Sequence, residues 1–470
     1  MIDILEKELK ICNLGLKVFN TDYDIQGIEY YDLEWRPPCG GNIKLLEMLE
    51  ELEPFKEVIK EANDRVITKM KSATARLVDI KLLKDIINTK NEKLILHSGP
   101  PVKWEEMCDP QKGAVIGAVI YERWANNIEE AKKIIESGEI ILKSTHEYNF
   151  VGPMAGITSP SMPVHVLYDD INNNYAYCNI NEGLGGVLRF GKNSPDVIEK
   201  LLWIKDEFYP VLKEALSIGE NIDIRNIIYQ ALNMGDECHN RNKAATSLFY
   251  KEISKKVLLT NFSNEKKLKV LEYISGNDHY FLNLSMPYCK LATIAGNNIK
   301  YSSIVSIMSR NGYEFGIKLN GMDEWFVHQA NYVKGLYFPG YGEEDAARDL
   351  GDSAITETNG LGGFSMAASP SIVKFVGGEV NDALDYSKSM KLITHSTNAN
   401  FSLPALNFQP AAYGIDIIKV VETGILPIIN TGIAHKKSGI GQIGAGLVTP
   451  PMECFIKALE KLINDLKNNF

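Results

Sequence analysis

Between Asn233 and Ser247 the chain reads NMGDECHNRNKAATS, which sets Asp236, Glu237, Cys238, His239, Asn240, Arg241, Asn242 and Lys243 in unbroken succession. Apolar residues flank this block at helical spacing: Ile222, Ile224, Ile227, Ile228 and Leu232 before it, and Leu248, Phe249, Ile253 and Val257 after it. Both flanks need to bury a face, so the polar side chains between them cannot all reach water. Buried polar groups are either paired or present for a ligand. Gly235 offers the break at which the chain turns into the block.

A chain of 470 residues exceeds what one core holds, and about three domains are expected from its length. Its 45% hydrophobic content supports sizeable cores, and 23% charged residues argues against disorder. The net charge of -10 disfavours nucleic acid as a partner but leaves room for a small anion held by a few local cations. The opening MIDILEKELKIC lacks the apolar core of a signal peptide, and no run approaches the ~20 apolar residues of a membrane span. Cysteines at 12, 39, 108, 178, 238, 289 and 454 form no CxxC pair. A reduced, cytoplasmic protein is expected, with no disulfide framework, metal or cofactor.

The expected fold is a multidomain α/β protein: a Rossmann-like N-terminal domain, two α/β modules and a helical insert. Leu9 to Leu16, ending at Gly15, reads as a strand and Ile28 to Leu33 as a second, the opening of a βαβ unit. NLGLKVF has one glycine where the dinucleotide fingerprint needs three, so a tightly held pyrophosphate is not expected. Arg36 with Gly40 and Gly41 follows the second strand, either as a ligand-binding turn or as a plain proline turn. The expected divisions are 1–100 for the Rossmann-like domain, 101–194 for an α/β module, 195–275 for the helical insert with the polar block, and 276–470 for a second α/β module. Val164 to Tyr168, Lys391 to Thr394 and Ile425 to Ile429 read as strands, and the C-terminus as an amphipathic helix.

Two glycine loops and one strand end are further candidates. Gly185 and Gly186 with Arg189 and Lys192, and Gly360 to Gly363 with Ser365, are able to cradle an anion, although such turns are more often structural. Asn430, Thr431 and His435 follow an apolar run, where ligand residues commonly sit; a solvated loop is the plain alternative. His395 is a weaker candidate of the same kind. A GLGG element and an M-A…S-P-S element each occur twice, in different orders, as an echo between the two α/β modules.

GPMAGITSPSMPV, NEGLGGVLRFG, MGDECHNRN-AATS, GGFSMAA and GIDIIKVVETGILPIINTGIAH together resemble the DUF1116, or YlbE-like, family, which includes the AllG subunit of oxamate carbamoyltransferase. The resemblance runs from about Cys12 to Pro451. It implies a multidomain α/β fold with a Rossmann-like start and, in the AllG branch, work alongside an FdrA-like and an AllH-like (DUF2877) partner subunit. That assembly moves a carbamoyl group between carbamoyl phosphate and oxamate, with oxalurate as the other carrier, in purine and allantoin catabolism. The Ser-Thr-Arg-Thr phosphate loop of aspartate and ornithine carbamoyltransferases is missing here, so a carbamoyl-transferring site would be built differently. Homodimerisation is the base-rate expectation.

Such chemistry needs donors for phosphate and carboxylate, a group that polarises the carbonyl, and a base for the amide nitrogen. The polar block supplies these types. On a helix, Asp236, His239, Asn240, Lys243 and Ser247 would share a face. Asp236 or Glu237 would orient His239 as base or carbonyl donor, and Arg241 would hold phosphate or carboxylate, with Asn240, Asn242 and Lys243 beside it. Gly185, Gly186, Arg189, Gly362, Gly363, Asn430, Thr431 and His435 would complete substrate binding. The bland reading is a helix junction in which Asp236 caps and Arg241 pairs with Glu237. At the level of the whole chain the alternatives are a non-catalytic scaffold or ligand-binding subunit of that assembly, or a nucleotide- or CoA-linked ligase component.

Overall fold

The computed structural model describes residues 11–470 apart from Gly15, Lys17, Glu34, Lys90 and Asn91. The chain is a mixed α/β protein with several sheets. At the N-terminus Ile11–Leu14 and Tyr30–Leu33 pair in parallel across the helix Val18–Gln26. The expected strand ends, Leu9 and Gly15, lie outside the described residues.

A five-stranded sheet runs in the order Phe150–Val151, Asn174–Asn179, Pro163–Asp169, Arg76–Leu82 and Ile222–Asp223. It joins stretches on both sides of 100 and 194. Lys93–His97 and Ile140–Ser144 form a separate parallel pair. The helix Leu282–Ile294 packs on the strands Pro163–Asp169 and Asn174–Asn179 and is buried from Leu282 to Thr293. Around these elements a core gathers Leu77, Ile95, Val119, Leu167, Phe208, Phe249 and Tyr280. Each such side chain stabilises the fold by about 1.5–3 kcal/mol on burial.

The C-terminal part carries a four-stranded antiparallel sheet, ordered Phe326–Gln329, Glu314–Leu319, Val305–Asn311 and Leu350–Gly351. It also carries a three-stranded one ordered Lys334–Tyr337, Gln442–Val448 and Ile429–Ala434. A second core holds Val305, Phe315, Ile417 and Ile433. The helix Met452–Asn469 closes it, burying Phe455, Leu459, Leu462 and Leu466 at the spacing that its amphipathic pattern predicts. Among the described residues no helix is long and apolar enough to cross a membrane.

Two strand expectations need correcting. The expected strand 391–394 is a short helical turn as far as Ile393; the strand is Thr394–Leu403, with His395 inside it. The apolar run 425–429 is irregular up to Ile428, and the strand Ile429–Ala434 itself contains Asn430 and Thr431. In each case hydrogen bonding to a partner strand, not local apolarity, decides where extended structure begins.

Candidate functional site

The helices on either side of the polar block are Ile224–Asn233 and Lys243–Leu258, burying Ile224, Ile227, Ile228 and Leu232 in one and Phe249, Ile253 and Val257 in the other. Asp236 to Asn242 between them is a loop, which corrects the expected helical face. The chain turns at Gly235 (φ 94°) and again at Cys238 (φ 59°), both in the left-handed region that a helix cannot accommodate. Glu237 ties the loop by accepting from the backbone N–H groups of His239 at 2.7 Å, Asn240 at 3.2 Å and Arg241 at 2.5 Å. Asp236 accepts from the Ala245 N–H at 2.9 Å in the first turn of the second helix and pairs with Arg241 Nε at 3.3 Å. Asp236 thus does cap, and the partner of Arg241 is Asp236 rather than Glu237. Burial, together with the Asp236 and Glu237 carboxylates, drives the Cys238 thiol well up, which removes it as a nucleophile.

His239 Nδ1 lies 2.8 Å from Glu357 Oε1, and both side chains are buried. The orienting role expected of Asp236 or Glu237 therefore falls to Glu357, while Glu237 holds only the backbone of His239. The same Glu357 oxygen accepts from Gly363 N–H at 3.1 Å and Asn430 N–H at 3.4 Å, and the other meets the Thr356 hydroxyl at 2.9 Å. Gly362 N–H donates to the Glu237 carbonyl at 2.9 Å. The N–H groups of Gly362 and Gly363 are thus engaged by protein acceptors, not open to an anion. Gly362 has φ 58°, and a Cβ there would stand 2.1 Å from Glu357 Oε1 and 3.0 Å from His239 Nδ1. Glycine is what lets the loop pass this pair. Asn430 bridges the two loops: its Nδ2 donates to Glu237 at 3.3 Å and its Oδ1 accepts from Asn240 Nδ2 at 2.9 Å.

Two adjoining cavities meet here. An outer cleft of about 580 Å3 is lined by Gly185, Arg241, Asn242 and Lys243 on its polar side and by Leu184 and Phe338 on its apolar side. A narrow inner well of about 20 Å3 is lined by His239, Arg189, His279, Ser353 and Thr431, and the two share Asn240, His279 and Gln442 as walls. Arg189 is 6% exposed; its Nη2 donates to the Gly183 carbonyl at 2.8 Å, and its guanidinium carbon lies 5.1 Å from the Phe190 ring centroid. Its Nε has no hydrogen-bond partner. Burial lowers its pKa from the usual arginine value, against the pull of Glu182. His279 is pushed down to about 4, first by burial and then by Arg189, so it is neutral near pH 7. No hydrogen bond among the described residues holds His239 Nε2. With Glu357 on Nδ1, Nε2 is the ring nitrogen left without a protein partner, on a residue that lines the inner well.

Other candidates lie elsewhere or are already engaged. Lys243 pairs with Asp278 at 3.3 Å on the cleft rim, and Asn242 donates to the His239 carbonyl at 2.6 Å. Gly186 packs under Gly439 and Lys192, and Lys192 pairs with Asp196 at 2.8 Å. His435 accepts from Lys437 N–H at 2.8 Å and lines neither cavity. His395 pairs with Asp64 at 2.8 Å, away from the site. The sequence reading missed Glu357, His279 and Ser353. Glu357 did carry a signal of the kind that marked the main block: Thr356 to Asn359 is a wholly polar stretch running into an apolar, glycine-rich segment. His279 and Ser353 carried none.

The family model for "Oxamate carbamoyltransferase subunit AllG" matches residues 140–353, which include Arg189, the polar block, His279 and Ser353. Oxamate carbamoyltransferase subunit AllG of Escherichia coli K12 is 43% identical over 412 residues, covering 87% of this chain and 98% of its own. YahG of the same organism, a protein of uncharacterised role, is 40% identical over 459 residues, covering 97% of both chains. A crystal structure of a conserved protein of unknown function from Enterococcus faecalis V583 matches with a TM-score of 0.86 at 44% identity, covering 87% of this chain and 98% of that one. The chain belongs to the AllG family.

Proposed function

We propose that this chain is a subunit of a carbamoyltransferase that acts on carbamoyl phosphate and oxamate, or a similar small amide acid, and that its cleft carries the chemistry. The observation behind this reading is the buried His239–Glu357 pair at the inner end of a cleft bordered by Arg189, Arg241 and Lys243. An amide nitrogen is a weak nucleophile and needs a base as it attacks. In the reaction the oxamate nitrogen bonds to the carbamoyl carbon and the bond from that carbon to the phosphate oxygen breaks. His239 Nε2 takes the proton from nitrogen and passes it to the departing phosphate, giving oxalurate and hydrogen phosphate. Glu357 holds the ring by Nδ1 and stabilises the imidazolium. Arg241 and Lys243, at the outer rim, suit the phosphate; Arg189, at the inner well, suits the carboxylate. FdrA-like and AllH-like subunits are the proposed partners, consistent with AllG being a subunit of oxamate carbamoyltransferase. The N-terminal βαβ unit is read as Rossmann-like on the strength of its parallel pairing.

The test is phosphate release from carbamoyl phosphate with oxamate, using the purified chain alone and with both partners. Release that depends on oxamate and falls by about 10²–10⁴ in His239→Ala, with assembly intact, supports the reading. Glu357→Gln should lose part of that rate. If block variants disrupt assembly first, the chain is a scaffold; no release with every partner present removes oxamate as the substrate and returns the scaffold reading to the front.

A further inference from the structure

Arg310 plays no part in the chemistry above, yet it is the largest side chain buried completely. It lies in the strand Val305–Asn311 behind the inner well. Its Nε pairs with Asp349 Oδ2 at 2.7 Å and its Nη1 donates to the Gly351 carbonyl at 2.8 Å. The remaining bonds go to two hydroxyls: Nη1 to Ser353 Oγ at 3.2 Å and Nη2 to Thr431 Oγ1 at 3.0 Å. Ser353 and Thr431 both line the well and are 3% and 1% exposed.

A guanidinium only donates. Both hydroxyl oxygens therefore act as acceptors toward Arg310, and each hydroxyl proton has to point elsewhere. No acceptor among the described residues receives either proton. Arg189 Nε, on the same well, is likewise a buried donor without an acceptor. Three buried donors around one small space, all lacking acceptors, form an uneconomical arrangement unless something that accepts hydrogen bonds enters.

We infer that Arg310 is a positioning residue that turns the hydroxyls of Ser353 and Thr431 toward the well, and that the well is the pocket for a substrate carboxylate, held by these two hydroxyls and Arg189. This rests on the small-carboxylate substrate proposed above. A carboxylate offers about four lone-pair sites, enough for all three donors. In oxamate only the amide carbonyl carbon separates the carboxylate group from the amide nitrogen. Seating the carboxylate here therefore brings the nitrogen to His239, which lines the same well.

The test is calorimetric titration of the full chain with formate, oxalate and oxamate, comparing wild type with Thr431→Val, Thr431→Ser, Arg310→Lys and the double variant Arg310→Lys/Thr431→Val, each checked for an unchanged melting transition. Thr431→Val should weaken carboxylate binding about 10- to 100-fold, and Thr431→Ser should restore it. If Arg310 acts through the hydroxyls, the double variant binds no more weakly than Arg310→Lys alone. Should Arg310→Lys fail to fold, the Thr431 pair decides the matter. Equal binding by Thr431→Val and wild type, or no binding of any of the three acids, overturns the proposal. Binding of formate and oxalate but not oxamate keeps the carboxylate pocket and removes oxamate from the reading of the reaction.

Discussion

Glu237 stands between opposing pressures. Burial is the largest, and with Glu357 and Asp236 nearby it pushes the carboxyl up to about 8, against the backbone N–H groups of Arg241 and His239, which favour the charged form. The ordinary value is 4.5. Between about 4.5 and about 8 the folded chain therefore holds a proton that the unfolded chain has lost. Its contribution to stability is fully present below about 4.5 and is lost as pH rises through about 8, at up to about 1.4 kcal/mol per pH unit. Urea midpoints taken across that range should fall more steeply for wild type than for Glu237→Gln; parallel curves would show that Glu237 is ionised throughout. At this scale the residue types of the site were legible, since a polar run from Asp236 to Lys243, broken only by Cys238, between two apolar flanks announces a buried polar cluster. The partner of His239 was not, because Glu357 lies 118 residues further along and only the fold brings the two within 2.8 Å.

Helices were the most readable elements. Apolar spacing located both helices around the block, because a buried stripe leaves a 3.6-residue period whatever it packs against. The loop between them is not helical as its spacing predicts, since its shape comes from positive φ at Gly235 and Cys238 and from the Glu237 carboxylate, none of which leaves a period. Asp236 links loop and helix by accepting the Ala245 N–H, six residues ahead of the cap position at Asn242. Asp236→Ala should remove that cap and release Arg241, costing about 2 kcal/mol. Hydrogen exchange is the check: the first turn of Lys243–Leu258 should lose protection while Ile224–Asn233 keeps it. Uniform protection across both helices would contradict the linking role.

Across the whole molecule Asp352 is the junction that sequence reading did not find. Buried completely, it accepts from Gly99 N–H at 2.9 Å, Gly152 N–H at 2.8 Å, the Thr145 hydroxyl at 2.6 Å and the Ser309 hydroxyl at 2.5 Å, with His146 Nε2 at 3.2 Å. This one carboxylate, adjacent in sequence to Ser353 at the well, thus ties the ends of the parallel pair Lys93–His97 and Ile140–Ser144 to the strand carrying Ser309. Asp352→Ala would strand these donors in the interior, at a cost of about 3–5 kcal/mol. Denaturant unfolding should show the loss directly, and the variant should also bind small carboxylates more weakly as Ser353 shifts. A change below about 1 kcal/mol would mean that the junction is dispensable.

By itself the sequence determined the α/β class, the helices with their buried faces, and the presence of a polar centre at 236–242, because propensity, periodicity and the cost of burying polar groups act locally along the chain. Tertiary structure alone decided which acid orients His239, which glycine amides are engaged by the protein, and which hydroxyls Arg310 turns toward the well. The His239–Glu357 and Arg310–Thr431 bonds join residues 118 and 121 positions apart, and such bonds have direction and distance but no signature in residue order.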